Sequence, residues 1–169
     1  MALHEHIRHT PILSASEAPL RMIGAFAESV GQATDLTQVG ECILRILSEQ
    51  LRLPKAAIWI REANGEYHLL APLGHRTLAP LPASLPDNHA LITGLSDRLH
   101  LLRYDQASSS PAGSAMISIQ AAVCLPLRNK TQFLGLCALG PIGTECHLDE
   151  DTVIIAETVA RIACNTVDH

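Results

Sequence analysis

Residues 121–140, AAVCLPLRNKTQFLGLCALG, set two apolar runs on either side of a short polar centre, with one cysteine in each run. The pattern predicts a β-hairpin turning near Asn129 to Thr131. A turn centred on Lys130 and Thr131 would put Cys124 opposite Cys137 and Leu125 opposite Leu136; a turn one residue earlier would shift that register. In either case both parities of the first strand are apolar, with Val123, Leu125 and Leu127 on one face and Ala122, Cys124 and Pro126 on the other. Such a hairpin must be covered on both sides. Gly135, in mid-strand, leaves room for close approach of backbone or ligand.

The chain on either side of the hairpin supplies the two covers. Upstream, PLRMIGAFAESVG from Pro19 places Leu20, Ile23, Ala27 and Val30 on one helical face before Gly31. Asp35 offers an N-cap to a longer helix striped by Leu36, Val39, Ile43, Ile46 and Leu47, which Pro54 prevents from continuing. Downstream, LDEDTVIIAETVARIACNTVDH is a helix whose first-turn acids complement its positive end. It carries two stripes. Val153, Ala156, Ala160, Ala163 and Val167 suit a sheet, and Ile155, Ile162 and Thr166 remain for a partner.

Between these lie KAAIWIREANGEYHLLAPL, a hairpin around Asn64-Gly65, and a Pro/Gly/Ser-rich middle with a short helix from about Asn88 to Leu95 and a strand in RLHLLRY. The piece DQASSSPAGSAM reads as a loop. Helices can cover one face of the sheet, leaving the middle segment to roof the other. A sheet roofed by irregular chain is a natural place for a small-molecule pocket. Residues 1–18 are polar, hold His4, His6 and His9, and read as a flexible tail, with the domain running from 19 to 169.

The composition narrows the function. At 169 residues with 47% hydrophobic content, the chain is one α+β or α/β domain able to bury a core. Twelve basic against 17 acidic residues give a net charge of -5 with no Lys/Arg cluster, and aromatics are 3%, so direct binding to nucleic acid is not expected. No apolar run is long enough to span a bilayer, and the start lacks a signal peptide's hydrophobic region. Five cysteines at scattered spacings suit free thiols in a reducing, cytoplasmic setting.

Taken together, DLTQVGECILRILSEQLRLPKAAIWI, the AVCLPLRNKTQFLGLCALG hairpin and the closing LDEDTVIIAETVARIACN resemble a GAF domain, a sensory module related to PAS domains, over about residues 20 to 169. The resemblance implies an antiparallel sheet of about six strands, terminal helices on one face and a loop-covered pocket on the other. It also implies a regulatory role in a signal-transduction protein, with an output partner such as a histidine kinase and homodimerisation through the terminal helices. Leu20, Ile23, Ile155, Ile162 and Thr166 are the interface candidates.

The family's ligand subsets are each matched only in part. Bilin-binding members use a pocket-wall cysteine commonly followed by histidine, but Cys146-His147 lies in the loop before the last helix. Haem-binding members take an axial histidine just before the PL strand, and residues 105–120 contain none, leaving His89 or His100. The cyclic-nucleotide signature is met by Asn129-Lys130 and Asp149-Glu150 but lacks its Phe. The catalytic branch, free methionine-sulfoxide reductase, needs cysteines in pocket loops, whereas Cys124 and Cys137 are mid-strand, where cysteine behaves as a small buried hydrophobe. No CxxC supports zinc, so no metal is expected and the cofactor stays unassigned.

The sequence therefore predicts a non-catalytic domain that senses an unidentified small molecule. A domain with a filled pocket acting only in dimerisation, and a reductase-type enzyme, are the alternatives. His75, Arg76, His89, Arg103 and Tyr104 are the candidates for the pocket's polar lining, above a floor of Trp59 and Cys124. The Arg103/Tyr104 pair fits an anionic ligand and a solvated strand end equally well.

Overall fold

The computed structural model describes residues 35–49, 55–70, 81–98, 100–140 and 150–165, together with Arg21, Gly24, Ala25, Ala27, Glu28 and Gly31, which are helical and exposed. Leu20, Ile23, His75, Arg76, Cys146, Thr166 and the expected tail, residues 1–18, lie outside the described residues. Gly31, expected to end the first helix, is itself helical.

Helix α1 (Leu36–Glu49) starts where Asp35 Oδ1 accepts the Gln38 amide at 2.8 Å, satisfying one of the donors a helix start leaves unpaired. It buries Val39, Ile43, Leu44 and Leu47. Strands β1 (Lys55–Arg61) and β2 (Tyr67–Leu69) form the expected hairpin. Its turn works as the sequence suggests: Asn64 Oδ1 accepts from the Glu66 amide, and Gly65 takes the left-handed backbone at φ 87°. Strand β3 (Ser84–Leu85), helix α2 (Ala90–Leu95) and strand β4 (Leu102–Arg103) follow. The strand expected in RLHLLRY is thus two residues long.

The Ser-rich piece expected as a loop holds two helices, α3 (Tyr104–Ala107) and α4 (Pro111–Ser118). Ser110 caps α4 by accepting the Gly113 amide at 3.1 Å, and Pro111 occupies the first turn, where its missing N–H costs nothing. A Cβ on Gly113 would strike the Ala107 carbonyl, so this glycine lets α4 nest against α3. Strands β5 (Val123–Arg128) and β6 (Phe133–Gly140) and helix α5 (Glu150–Asn165) complete the chain.

The strands form one six-stranded antiparallel sheet in the order β3-β2-β1-β6-β5-β4. Every residue of β6 is buried, and side chains alternate between two separate cores. On one face Ala56, Ile58, Val123, Leu125, Cys137 and Leu139 meet α1 and α5. The expected sheet-facing stripe of α5 is the buried one: Val153, Ala156, Ala160 and Ala163. On the other face Ala57, Trp59, Cys124, Leu136 and Ala138 meet the roof built from β3, α2, α3 and α4. The fold is α+β, as expected, and both faces are covered.

The β5–β6 register corrects the expected cysteine pairing. Next to the turn, Arg128 pairs with Phe133, as a turn centred on Lys130 and Thr131 requires. A β-bulge then shifts the ladder by one, so Leu125, not Cys124, opposes Cys137, and Pro126, not Leu125, opposes Leu136. The slip is visible in the packing: Phe133 and Leu136 both face the roof although three positions apart. The extra residue is Leu134, and next to it lies Gly135, where a Cβ would collide with the Trp59 carbonyl of the neighbouring strand.

Because that obstacle is backbone, Gly135→Ala should force β1 and β6 apart and destabilise the domain by about 3 kcal/mol. Urea unfolding of the variant measures this, and an unchanged midpoint would show that the strands can give way.

Candidate functional site

The roofed face is built from small and large apolar side chains that interlock. Sheet residues Trp59, Cys124 and Leu136 are fully buried beneath Leu85, Leu91, Leu95 and Met116 of the roof, which are themselves at most 1% exposed. Trp59 anchors the assembly twice, through its ring area and through Nε1, which donates to the Pro82 carbonyl at 2.9 Å. Among the described residues no polar or charged residue is buried in this layer. Among the described residues the layer between sheet and roof is packed with apolar side chains.

The sequence candidates separate accordingly. Trp59 and Cys124 are on the roofed face as expected, forming its floor. His89 sits at the rim as the N-cap of α2, its Nδ1 accepting the Leu91 amide at 3.2 Å, and burial lowers its pKa. That hydrogen bond needs an unprotonated Nδ1, so the neutral imidazole is the one the fold holds. Tyr104 packs half-buried against the roofed core.

Arg103 goes elsewhere. Strand β4 buries Leu102 in the roofed core, and period-2 alternation turns Arg103 away from it. Its Nη2 meets Glu150 Oε2 at 2.8 Å, at the start of α5. The Arg103/Tyr104 pair is therefore not one anion clamp under the roof. Asn129 and Glu150, which partly matched a cyclic-nucleotide signature, have local duties: Asn129 Oδ1 accepts the amides of Thr131 and Gln132 in the hairpin turn, and Glu150 holds Arg103. His100 lies outside the roofed layer and lines an open cleft at the sheet edge. Among the described residues no cluster of His, Cys, Asp and Glu could hold a metal, and no helix is long and apolar enough to cross a membrane.

A sequence model of the GAF domain family matches residues 35–167. The chain belongs to the GAF domain family. Its six-stranded sheet between a helical layer and a roof is similar to several solved GAF structures. A methyl-accepting chemotaxis protein fragment superposes with TM-score 0.66 at 16% identity, covering 83% of this chain and 93% of that one. The GAF domain of an Acinetobacter phosphoenolpyruvate-protein phosphotransferase gives 0.67 at 12% identity over 89% and 93%. Free methionine-R-sulfoxide reductase from Neisseria meningitidis, solved with its substrate, gives 0.60 at 13% identity over 88% and 87%. At these identities the likeness shows the fold. No curated protein matches the chain in sequence.

Within this GAF domain the thiols of Cys124, Cys137 and Cys164 are held protonated. Burial pushes Cys124 and Cys164 up to about 12, and raises Cys137 further, with the neighbouring Cys124 and Cys164 adding to the effect. Cys124 points to the roof and Cys137 to the helices, so the sheet itself separates their sulfurs. A thiol without its thiolate is a poor nucleophile.

Two pH effects follow. The unfolded chain loses its thiol protons above about pH 9 while the folded chain keeps them, so stability present below pH 9 is lost as pH rises toward the raised folded values. The loss should approach ~1.4 kcal/mol per pH unit for each buried thiol, and urea melts at pH 8 and 10 should show a shallower decline in Cys124→Ala. At the acidic end the sign reverses: His89's lowered pKa gives stability that is present above the usual imidazole value and lost as pH falls through the folded one. His89→Asn keeps a capping acceptor and should flatten that acid decline, while His89→Ala should cost about 1 kcal/mol at pH 7.5, both read from thermal melts.

Proposed function

We propose that this GAF domain is a non-catalytic regulatory module of a signal-transduction protein, with its roofed face closed by its own side chains, working as a homodimer through its terminal helices. The observation that carries the proposal is the apolar closure beneath the roof, where a ligand site would need polar groups to orient its occupant. The thiols support the non-catalytic part. Reducing a sulfoxide consumes two electrons, which a pair of cysteines supplies by becoming a disulfide, and Cys124 and Cys137 face opposite sides of the sheet.

The helical side supports the dimer. On α5 Ile162 is half-exposed and Ile154 is 52% exposed, while the half-exposed Ile155 also packs against the helical core. Helices packed across such a stripe have alternative arrangements of similar energy, which is how a module without chemistry passes on a signal.

One observation favours small-molecule sensing as a second reading. The roof is attached to the sheet ladder only by β3 and β4, two residues each, so opening it breaks few backbone bonds. A ligand that replaced roof side chains would then enter a site floored by Trp59 and Cys124.

Sedimentation velocity and thermal shift separate the two. The wild-type chain should sediment as a dimer and Ile162→Asp as a monomer with its melting temperature within a few degrees; a monomeric wild type, or a dimeric variant, would overturn the helical interface. A screen of nucleotides, oxoacids and amino acids should give no shift that depends on the roof. Stabilisation approaching the ~2.7 kcal/mol expected at 100 times Kd, with amide shifts centred on Trp59 and Met116, would establish sensing instead.

A further inference from the structure

We infer that the open edge of β5 carries a binding site for a small polyanion, bearing phosphate or carboxylate groups, distinct from the roofed face. The site begins with a shortage of strand. Strand β4 pairs only with Val123 and Cys124, so the remainder of β5 has no outer neighbour among the described residues. Pro126 lies in that stretch and has no N–H to offer another strand. Arg128, two residues on, donates from Nη1 to the Ser96 carbonyl at the end of α2. The result is a cleft of about 380 Å³ between this edge, the hairpin turn and α5.

The cleft's charge is opposite to that of the chain. Arg128, Lys130 and Arg161 line it with His100, against one carboxylate among the described residues, that of Glu157, in a protein of net charge -5. Glu157 is already engaged: Oε2 accepts the Leu101 amide at 3.1 Å, and Oε1 faces Arg161 at 3.5 Å. That i,i+4 pair is exposed and long, so it holds the guanidinium weakly. Neither Arg128 nor Lys130 takes part in an ion pair among the described residues. The three cations come from a strand end, a turn and a helix, so they approach an occupant from three directions. Guanidinium groups so placed suit bidentate contact with a carboxylate or phosphate. The volume is near the lower end of ligand sites and sets the size of the occupant at a small metabolite.

Titration of the ¹⁵N-labelled chain with pyrophosphate and with citrate, at constant ionic strength, tests the assignment. Expected are saturable amide shifts confined to His100, Leu101, Lys130, Arg161 and their neighbours, with either probe or both. A phosphate or a carboxylate occupant is then told apart by which probe binds tighter. Lys130→Gln with Arg161→Gln, both at exposed positions, should weaken binding at least about tenfold for the lost charge-assisted contacts without altering the fold. Glu157→Gln, which keeps the acceptor for Leu101, should tighten it several-fold. Shifts that fail to saturate, that spread over the surface, or that persist unchanged in the double variant would overturn the site. None of these outcomes bears on the roof, whose test reads the amides of Trp59 and Met116.

Discussion

Strand β6 is the constraint on which the rest of the molecule depends. It is paired on both edges, with β1 and β5, and all of its residues are buried. A strand enclosed in this way has no solvent side, so the chain must supply two layers, one for each parity. The tightest point is Gly135 against the Trp59 carbonyl, where the absence of a side chain sets how closely β1 and β6 approach. The bulge beside that glycine, at Leu134, places Phe133 and Leu136 in the same layer, where the Phe133 ring meets Tyr67 with centroids 5.7 Å apart.

The two layers solve the same covering problem with different materials. Helices α1 and α5, 14 and 16 residues long, bring broad apolar stripes and leave part of their own surface unused. The roof uses helices of six, four and eight residues, each too short to stand alone, and ties them down by local devices: His89 and Ser110 as caps, Pro111 in a first turn, and Trp59 Nε1 on the Pro82 carbonyl. A regulatory module needs one firm layer and one that can respond. Here the helical layer leaves Ile154 exposed, and the described residues of the roofed layer are apolar and closely packed.

Much of this was legible in the sequence because it depends on local chemistry. Asn64-Gly65 and Asn129 mark their turns through side-chain hydrogen bonds that need no tertiary context, and the two-sided apolar pattern of β5 and β6 demands two covers whatever the topology. The Ser110-Pro111 start of α4 was also written in the sequence, but the surrounding serines and glycines weighed toward a loop. The bulge was not legible, since it is a register shift between β5 and β6 that exists only once the two strands pair. Arg103 was misplaced for a related reason: which way it faces depends on Leu102 being the residue drawn inward. The edge cleft gathers His100, Arg128, Glu157 and Arg161 across some sixty residues of chain, and no local pattern announces a space left by a strand that stops early.

The continuity of the roof has a consequence for how the domain comes apart. Residues 81–119 form the roof as one uninterrupted stretch, whereas the helical layer joins α1, before the first strand, to α5, after the last. Lifting the roof leaves β1, β6 and β5 and their helical backing in place, while removing either long helix exposes the core under both. The roof is thus suited to be a sub-global unfolding unit, with amides in α2, α3 and α4 exchanging with solvent through a partial opening and those of β6 only through loss of the whole fold. The layer a signal could most cheaply disturb is the one whose departure the remainder survives.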